Sequence, residues 1–204
     1  DYLPNLHADG RRVGLPSDDS QLAFWTLESL LEIGSLDPDD LSARFASRQI
    51  FGLGHAVARF LSNRAEGVTP WYRCGAESAG NGALMRIAPI VLLHPAGTSA
   101  ALWLDTALAS IVTHRDASSV ASCVAFTDLL ARLLRLQASP QPGWIIATFL
   151  ATVRRVCADQ LYRPRGGRFA DWEGHYADYL EHALGEASRH GWSTREACDA
   201  WHSG

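Results

Sequence analysis

The chain has 204 residues, 47% hydrophobic and 20% charged, with a formal net charge of −4. These figures describe an ordinary globular chain long enough to bury a core, and no basic excess points to nucleic acid. All 18 basic residues are arginine, which reads most simply as a composition bias, although arginine binds phosphate and carboxylate bidentately where lysine offers a point charge.

The first sixteen residues, "DYLPNLHADGRRVGLP", are irregular and carry no charged-then-apolar leader pattern. From Ser17 the pattern turns helical: "SDDSQLAFWTLESLLEIG" spaces Ala23, Leu27, Leu30 and Leu31 along one face and stops at Gly34. "DPDDLSARFASRQ" opens with Asp37 as cap and Pro38 at the first helical position. "GHAVARFLSN" predicts a third helix, and "RAEGVTPWYRCGAESAGNG" a long aperiodic loop. The stretch "SAGNGALMRIAP", residues 78–89, predicts a turn tipping into a core helix over 83–93. Then "TSAALWLDTALASIVTH", the long "DASSVASCVAFTDLLARLLRLQ" capped by Asp116, and "PGWIIATFLATVRRVCADQ" are helical; "YRPRGGRF" is a loop; "WEGHYADYLEHALGEASRHG" and "TREACDAW" close the chain as helices. No segment alternates long enough to predict a strand. The pattern predicts an all-α fold, a single compact multi-helix domain over residues 1–204.

Cys74, Cys123, Cys157 and Cys198 are far apart, with no paired or zinc-type spacing. Free thiols imply a reducing compartment. The longest apolar run, residues 87–93, is broken by Pro89, so no membrane span is expected. A cytoplasmic location is the simplest expectation.

Two places carry candidate chemistry. Ser17, Asp18 and Asp19 stand at a helix start, where serine caps and acids suit the dipole. The same hydroxyl and paired carboxylates offer hard oxygen ligands for Mg²⁺ or Mn²⁺. In the second, Gly80 and Gly82 permit positive φ around a capping Asn81. Alternatively Ser78, Ala79, Gly80, Asn81 and Gly82 form a cradle whose backbone N–H groups approach a phosphate or ribose. Arg86, one turn on, serves either the ligand or the core. His114, in "SIVTHRD", is either a helix-end partner or part of a site.

Taken in chain order, "PSDDSQLAFWTLESLLE", "SAGNGALMRIAPIVLL" and "IVTHRD" resemble the ADP-ribosylglycohydrolase family, which includes the dinitrogenase reductase-activating glycohydrolase. The resemblance runs from about residue 16 to the His114 region and more loosely beyond. It implies an all-α hydrolase with two Mg²⁺ or Mn²⁺ ions that removes ADP-ribose from a modified side chain, commonly arginine. Ser17, Asp18 and Asp19 would be metal ligands, with Asp18 and Asp19 also the candidates for activating water. Ser78, Ala79, Gly80, Asn81, Gly82 and His114 would bind the diphosphate and ribose. The family's "GD-x-x-G" opening and C-terminal "G-x-D-x-D-[ST]" element do not occur in the sequence. Weak binding of Mg²⁺ by this polypeptide alone is therefore expected. Two other readings stay open: a non-catalytic ADP-ribose-binding or toxin-neutralising protein, with an ADP-ribosyltransferase toxin as partner, and a structural protein without ligand.

Overall fold

The computed structural model describes residues 9–11, 13–164 and 166–202. They group into two compact units divided after Gln137. The first holds α1 (Asp18–Ile33), α2 (Pro38–Ser47), α3 (His55–Ala65), α4 (Ala100–Ile111) and α5 (Ala117–Leu133). The second holds α6 (Pro142–Val156), a two-residue hairpin of β1 (Leu161–Tyr162) and β2 (Gly174–His175), then α7 (Tyr176–His190) and α8 (Thr194–His202). Among the described residues no helix is long and apolar enough to cross a membrane.

Local chemistry explains the boundaries. Asp37 accepts the N–H groups of Asp39 and Asp40 at the head of α2, with Pro38 already set for helical φ. Asp116 does the same for Ser118 and Ser119 at the head of α5. Gly34 ends α1 at φ 78°, a left-handed conformation that glycine adopts without steric cost, and returns its N–H to Leu30.

In the first unit the apolar stripes of α1–α3 meet α4 and α5 around Leu22, Leu41, Phe45, Phe60, Ile87 and Leu102, all fully buried. Within the same unit, the buried hydroxyls of Thr106 and Thr127 join α4 to α5 at 2.9 Å. One expected core residue lies elsewhere. Leu31 is 76% exposed; it follows Leu30, and a helix turns each successive side chain by about 100°.

The predicted helix over 83–93 does not form. That stretch is two 3-10 segments, Leu84–Arg86 and Ala88–Leu93. Pro89 has no N–H to give and its ring would collide with the carbonyl one α-turn back. Ile87, Ile90 and Val91 still point inward, while Leu92 is exposed.

In the second unit, described by itself, α6 packs on α7, and Arg154 of α6 pairs with Glu181 of α7. β1 and β2 are antiparallel, with Leu161 opposite His175 and Tyr162 opposite Gly174. Two-residue strands are too short for alternation to show in a sequence. The Tyr162 ring packs at a tilt against those of Tyr176 and Tyr179, at 4.9 and 4.7 Å between ring centres.

Candidate functional site

The start of α1 forms one wall of a cleft. Ser17 holds the N-cap position with extended backbone, but its hydroxyl caps no N–H. It donates instead to Asp19 Oδ2 at 3.0 Å, since a carboxylate is the stronger acceptor. Asp18 Oδ1 accepts the Asp19 N–H at 3.1 Å. Each carboxylate therefore keeps one oxygen, Asp18 Oδ2 and Asp19 Oδ1, with no protein donor among the described residues. Gln21 stiffens this corner: its amide donates to the Gln49 carbonyl and accepts the Phe51 N–H, while Asp18 N–H binds the Phe51 carbonyl. The chain then passes Asp18 on Gly52 and Gly54, where a Cβ would lie 3.6 Å from Oδ1 and 4.0 Å from Oδ2.

Gly54 caps α3 without a side chain, so the orphan N–H groups and the positive end of that helix stand at the cleft. Residues 54–57 line it.

The loop over 75–82 is the facing wall. It is stapled to the α4–α5 connection: Ala76 N–H donates to the Thr113 carbonyl, Arg115 N–H to the Ala76 carbonyl, and Ser119 Oγ to the Gly80 carbonyl at 3.1 Å. At Gly75 a Cβ would sit 2.5 Å from the Ile111 carbonyl oxygen, so only glycine fits. Ser78 Oγ accepts the Gly80 N–H at 3.2 Å. No acceptor among the described residues takes the N–H of Asn81 or Gly82.

The two glycines serve a different purpose from the one their sequence suggests. Neither Gly80 nor Gly82 has positive φ, and Asn81 caps no helix. Both lie against His114: a Cβ on Gly82 would come within 2.8 Å of its Cε1 and 3.0 Å of its Nε2, and one on Gly80 within 3.9 Å of Nε2. His114 is 1% exposed. Burial pushes its pKa down to about 4, Arg86 pushes the same way, and Asp116 opposes them weakly. The imidazole is neutral at neutral pH.

The cleft has a volume of about 400 Å³ and brings together Asp18, Asp19, Ser78, Gly80, Asn81, Gly82 and His114. Ser17 and Ala79 are not on its lining; Ser17 acts on Asp19, and Ala79 spans Ser78 and Gly80. Gly54, His55, Ala56, Val57 and Met85 also line it and were not expected from the sequence. The glycine pair of "FGLGH" ahead of a helix was the available signal. Trp71 and Tyr72 touch each other edge-on at 5.5 Å and are not on the lining.

Two carboxylates at the head of α1 thus face a glycine-containing loop and a buried histidine across one cleft of an all-α unit. The chain belongs to the ADP-ribosylglycohydrolase family, whose pattern matches residues 1–203. It is similar to an uncharacterized protein of Archaeoglobus fulgidus, 28% identical over 135 residues, covering 64% of this chain and 43% of that protein. It is also similar to a solved structure named ADP-ribosylglycohydrolase-related protein complex, at 28% identity and a TM-score of 0.56, covering 86% of this chain and 60% of that one. The chain thus spans less than two thirds of the length of either relative.

The residues fit a hard dication in kind, since hydroxyl and carboxylate oxygens suit Mg²⁺ or Mn²⁺. They do not supply two complete shells: among the described residues no group of three or more His, Cys, Asp or Glu side chains is placed to hold an ion.

Proposed function

We propose that the cleft takes an ADP-ribosyl group and serves hydrolysis of the bond joining it to a protein side chain, arginine being the first choice. The observation that carries this reading is the single 400 Å³ cleft in which two half-open carboxylates face an anion-type loop and a neutral histidine. Free N–H groups at Asn81 and Gly82, with the α3 N-terminus, suit the diphosphate. His114 and Ser78 suit ribose or phosphate oxygens. Asp18 and Asp19 are aimed at the reacting end.

Mg²⁺ or Mn²⁺, held in part by Asp18 and Asp19 with Ser17 behind them, would polarise ribose hydroxyls and acidify water when bound. The chain's own contribution is positional and electrostatic. Breaking the glycosidic bond develops positive charge on the ribose, which an adjacent carboxylate stabilises. Asp18 Oδ2 or Asp19 Oδ1, neither with a donor among the described residues, accepts a proton from the incoming water as its oxygen bonds to the anomeric carbon and the bond to the side-chain nitrogen breaks; that proton then passes to the departing guanidine. The Ser17 hydroxyl fixes the Asp19 carboxylate for that role.

The test is release of ADP-ribose from an ADP-ribosylarginine protein in Mg²⁺. Asp18→Asn and Asp19→Asn are each expected to lower the rate at least ~100-fold, the range of general-base and electrostatic contributions. Unchanged rates in both variants would overturn the reading. A second reading is favoured by the missing third metal-ligating side chain among the described residues: capture of ADP-ribose, or of an ADP-ribosyltransferase that carries it, without turnover. Binding of ADP-ribose with no release under any metal condition would select it.

A further inference from the structure

Arg86 is fully buried, yet its Nε and Nη1 have no hydrogen-bond acceptor. All its directed bonds leave from Nη2, to the Ala109 carbonyl at 2.9 Å and to Thr113 Oγ1 at 2.8 Å. The Phe45 ring lies 4.9 Å from its guanidinium carbon. Burial pushes its pKa down to about 10, so it remains a cation at neutral pH. A cation this poorly satisfied is expensive to bury, which asks what it does there.

Its partner answers. Thr113 Oγ1 lies 2.9 Å from His114 Nδ1, and Thr113 is itself fully buried. A guanidinium only donates. The Thr113 hydroxyl therefore accepts from Arg86; were it also to accept from an Nδ1–H, its own buried proton would have no acceptor among the described residues, so donation to His114 Nδ1 is the arrangement that satisfies both the hydroxyl and the ring nitrogen. A nitrogen that accepts carries no proton, so the ring proton sits on Nε2. That atom has no hydrogen-bond partner among the described residues and lies beside Gly80 and Gly82, and His114 is one of the residues lining the cleft.

We infer that Arg86 and Thr113, neither of which lines the cleft, are positioning residues that hold His114 as its Nε2–H tautomer and so present a fixed hydrogen-bond donor to the ligand. The cation also opposes a second proton on the ring, which keeps Nδ1 an acceptor. A donor of this kind suits a phosphate or ribose oxygen and rejects a ligand that offers only a donor at that point. The proposal rests on the ADP-ribosyl reading for the ligand's identity; the tautomer itself does not.

The experiment is ¹⁵N-edited NMR of the ring nitrogens in the full chain at neutral pH, with the His114 signals identified by their loss in His114→Gln. The expected result is a pyridine-type Nδ1 and a protonated Nε2. A protonated Nδ1 overturns the proposal whether or not ADP-ribose binds. In parallel, Thr113→Val is expected to weaken ADP-ribose binding about tenfold, the scale of one lost hydrogen bond, and to blur the tautomer signature. Thr113→Ser, which keeps the hydroxyl, is expected to restore both. Equal signatures in the Val and Ser variants would also overturn it. If the wild type binds no ADP-ribose but shows the Nε2–H tautomer, the functional reading fails and the positioning role stands.

Discussion

His114 and Gly82 work as one unit. The ring is closed off by a backbone that carries no Cβ, and the closest atom to an added methyl would be His114 Cε1 at 2.8 Å. Because Gly82 has ordinary φ, the cost of Gly82→Ala is steric and comes from displacing the ring or the loop. Urea denaturation is expected to show a loss of roughly 1–3 kcal/mol, the usual range for overpacking, together with weakened ligand binding. A mutant as stable as wild type would mean that the ring yields freely. Protonation tests the same packing. The native His114 titrates near 4 against 6.5 for a free ring, so between those values the unfolded chain binds more protons. Stability therefore rises with pH across that window and is lost as pH falls from about 6.5 to about 4, by no more than ~3 kcal/mol. Comparing wild type with His114→Gln at pH 7 and pH 5 isolates this contribution; a wild type that loses no more on acidification than the variant contradicts it.

At the scale of elements, the cleft depends on where helices begin. Asp116 caps α5, and that same first turn sets Ser119 against the Gly80 carbonyl. Asp116→Ala should cost about 1 kcal/mol, as other lost caps do. It should also loosen the loop, seen as faster amide exchange over residues 78–82 than in Asp37→Ala, which loses a comparable cap on α2 away from that loop. Equal exchange in the two variants would separate the cap from the loop. Helix starts and stops were legible because they are local chemistry: Asp37, Pro38, Asp116 and Gly34 each act within one turn of themselves. The stretch from residue 83 to residue 93 was less so. Its apolar composition suited a helix, but one Pro89 divides it into 3-10 turns, so the loop is not mounted on a long helix start. The purpose of Gly80 and Gly82 was not legible either, since the ring they accommodate belongs to His114, far along the chain. Arg86 looked equally suited to ligand or core, and only packing shows it buried behind the histidine.

At the scale of the whole molecule, every residue lining the cleft lies in the first unit, before Gln137. Ligand should therefore slow amide exchange over residues 17–19, 54–57, 78–86 and 113–114 and leave residues 138–202 at their free rates. At a hundredfold excess over Kd it should add about 2.7 kcal/mol to stability. The all-α fold class was readable from helical spacing, and the turn-rich stretch "ASPQPG" directly after Gln137 stands where the two compact units divide. The recognition of family from "PSDDSQLAFWTLESLLE" and "GNGALMRIAP" agrees with the match over residues 1–203. The most direct test of the account is calorimetric titration of ADP-ribose into the chain in the presence of Mg²⁺. Saturable binding at one site, weakened at least tenfold in His114→Gln and in Gly82→Val, is the predicted result. No binding at millimolar ligand, or binding that both substitutions leave unchanged, would contradict the assignment of this cleft to an ADP-ribosyl group.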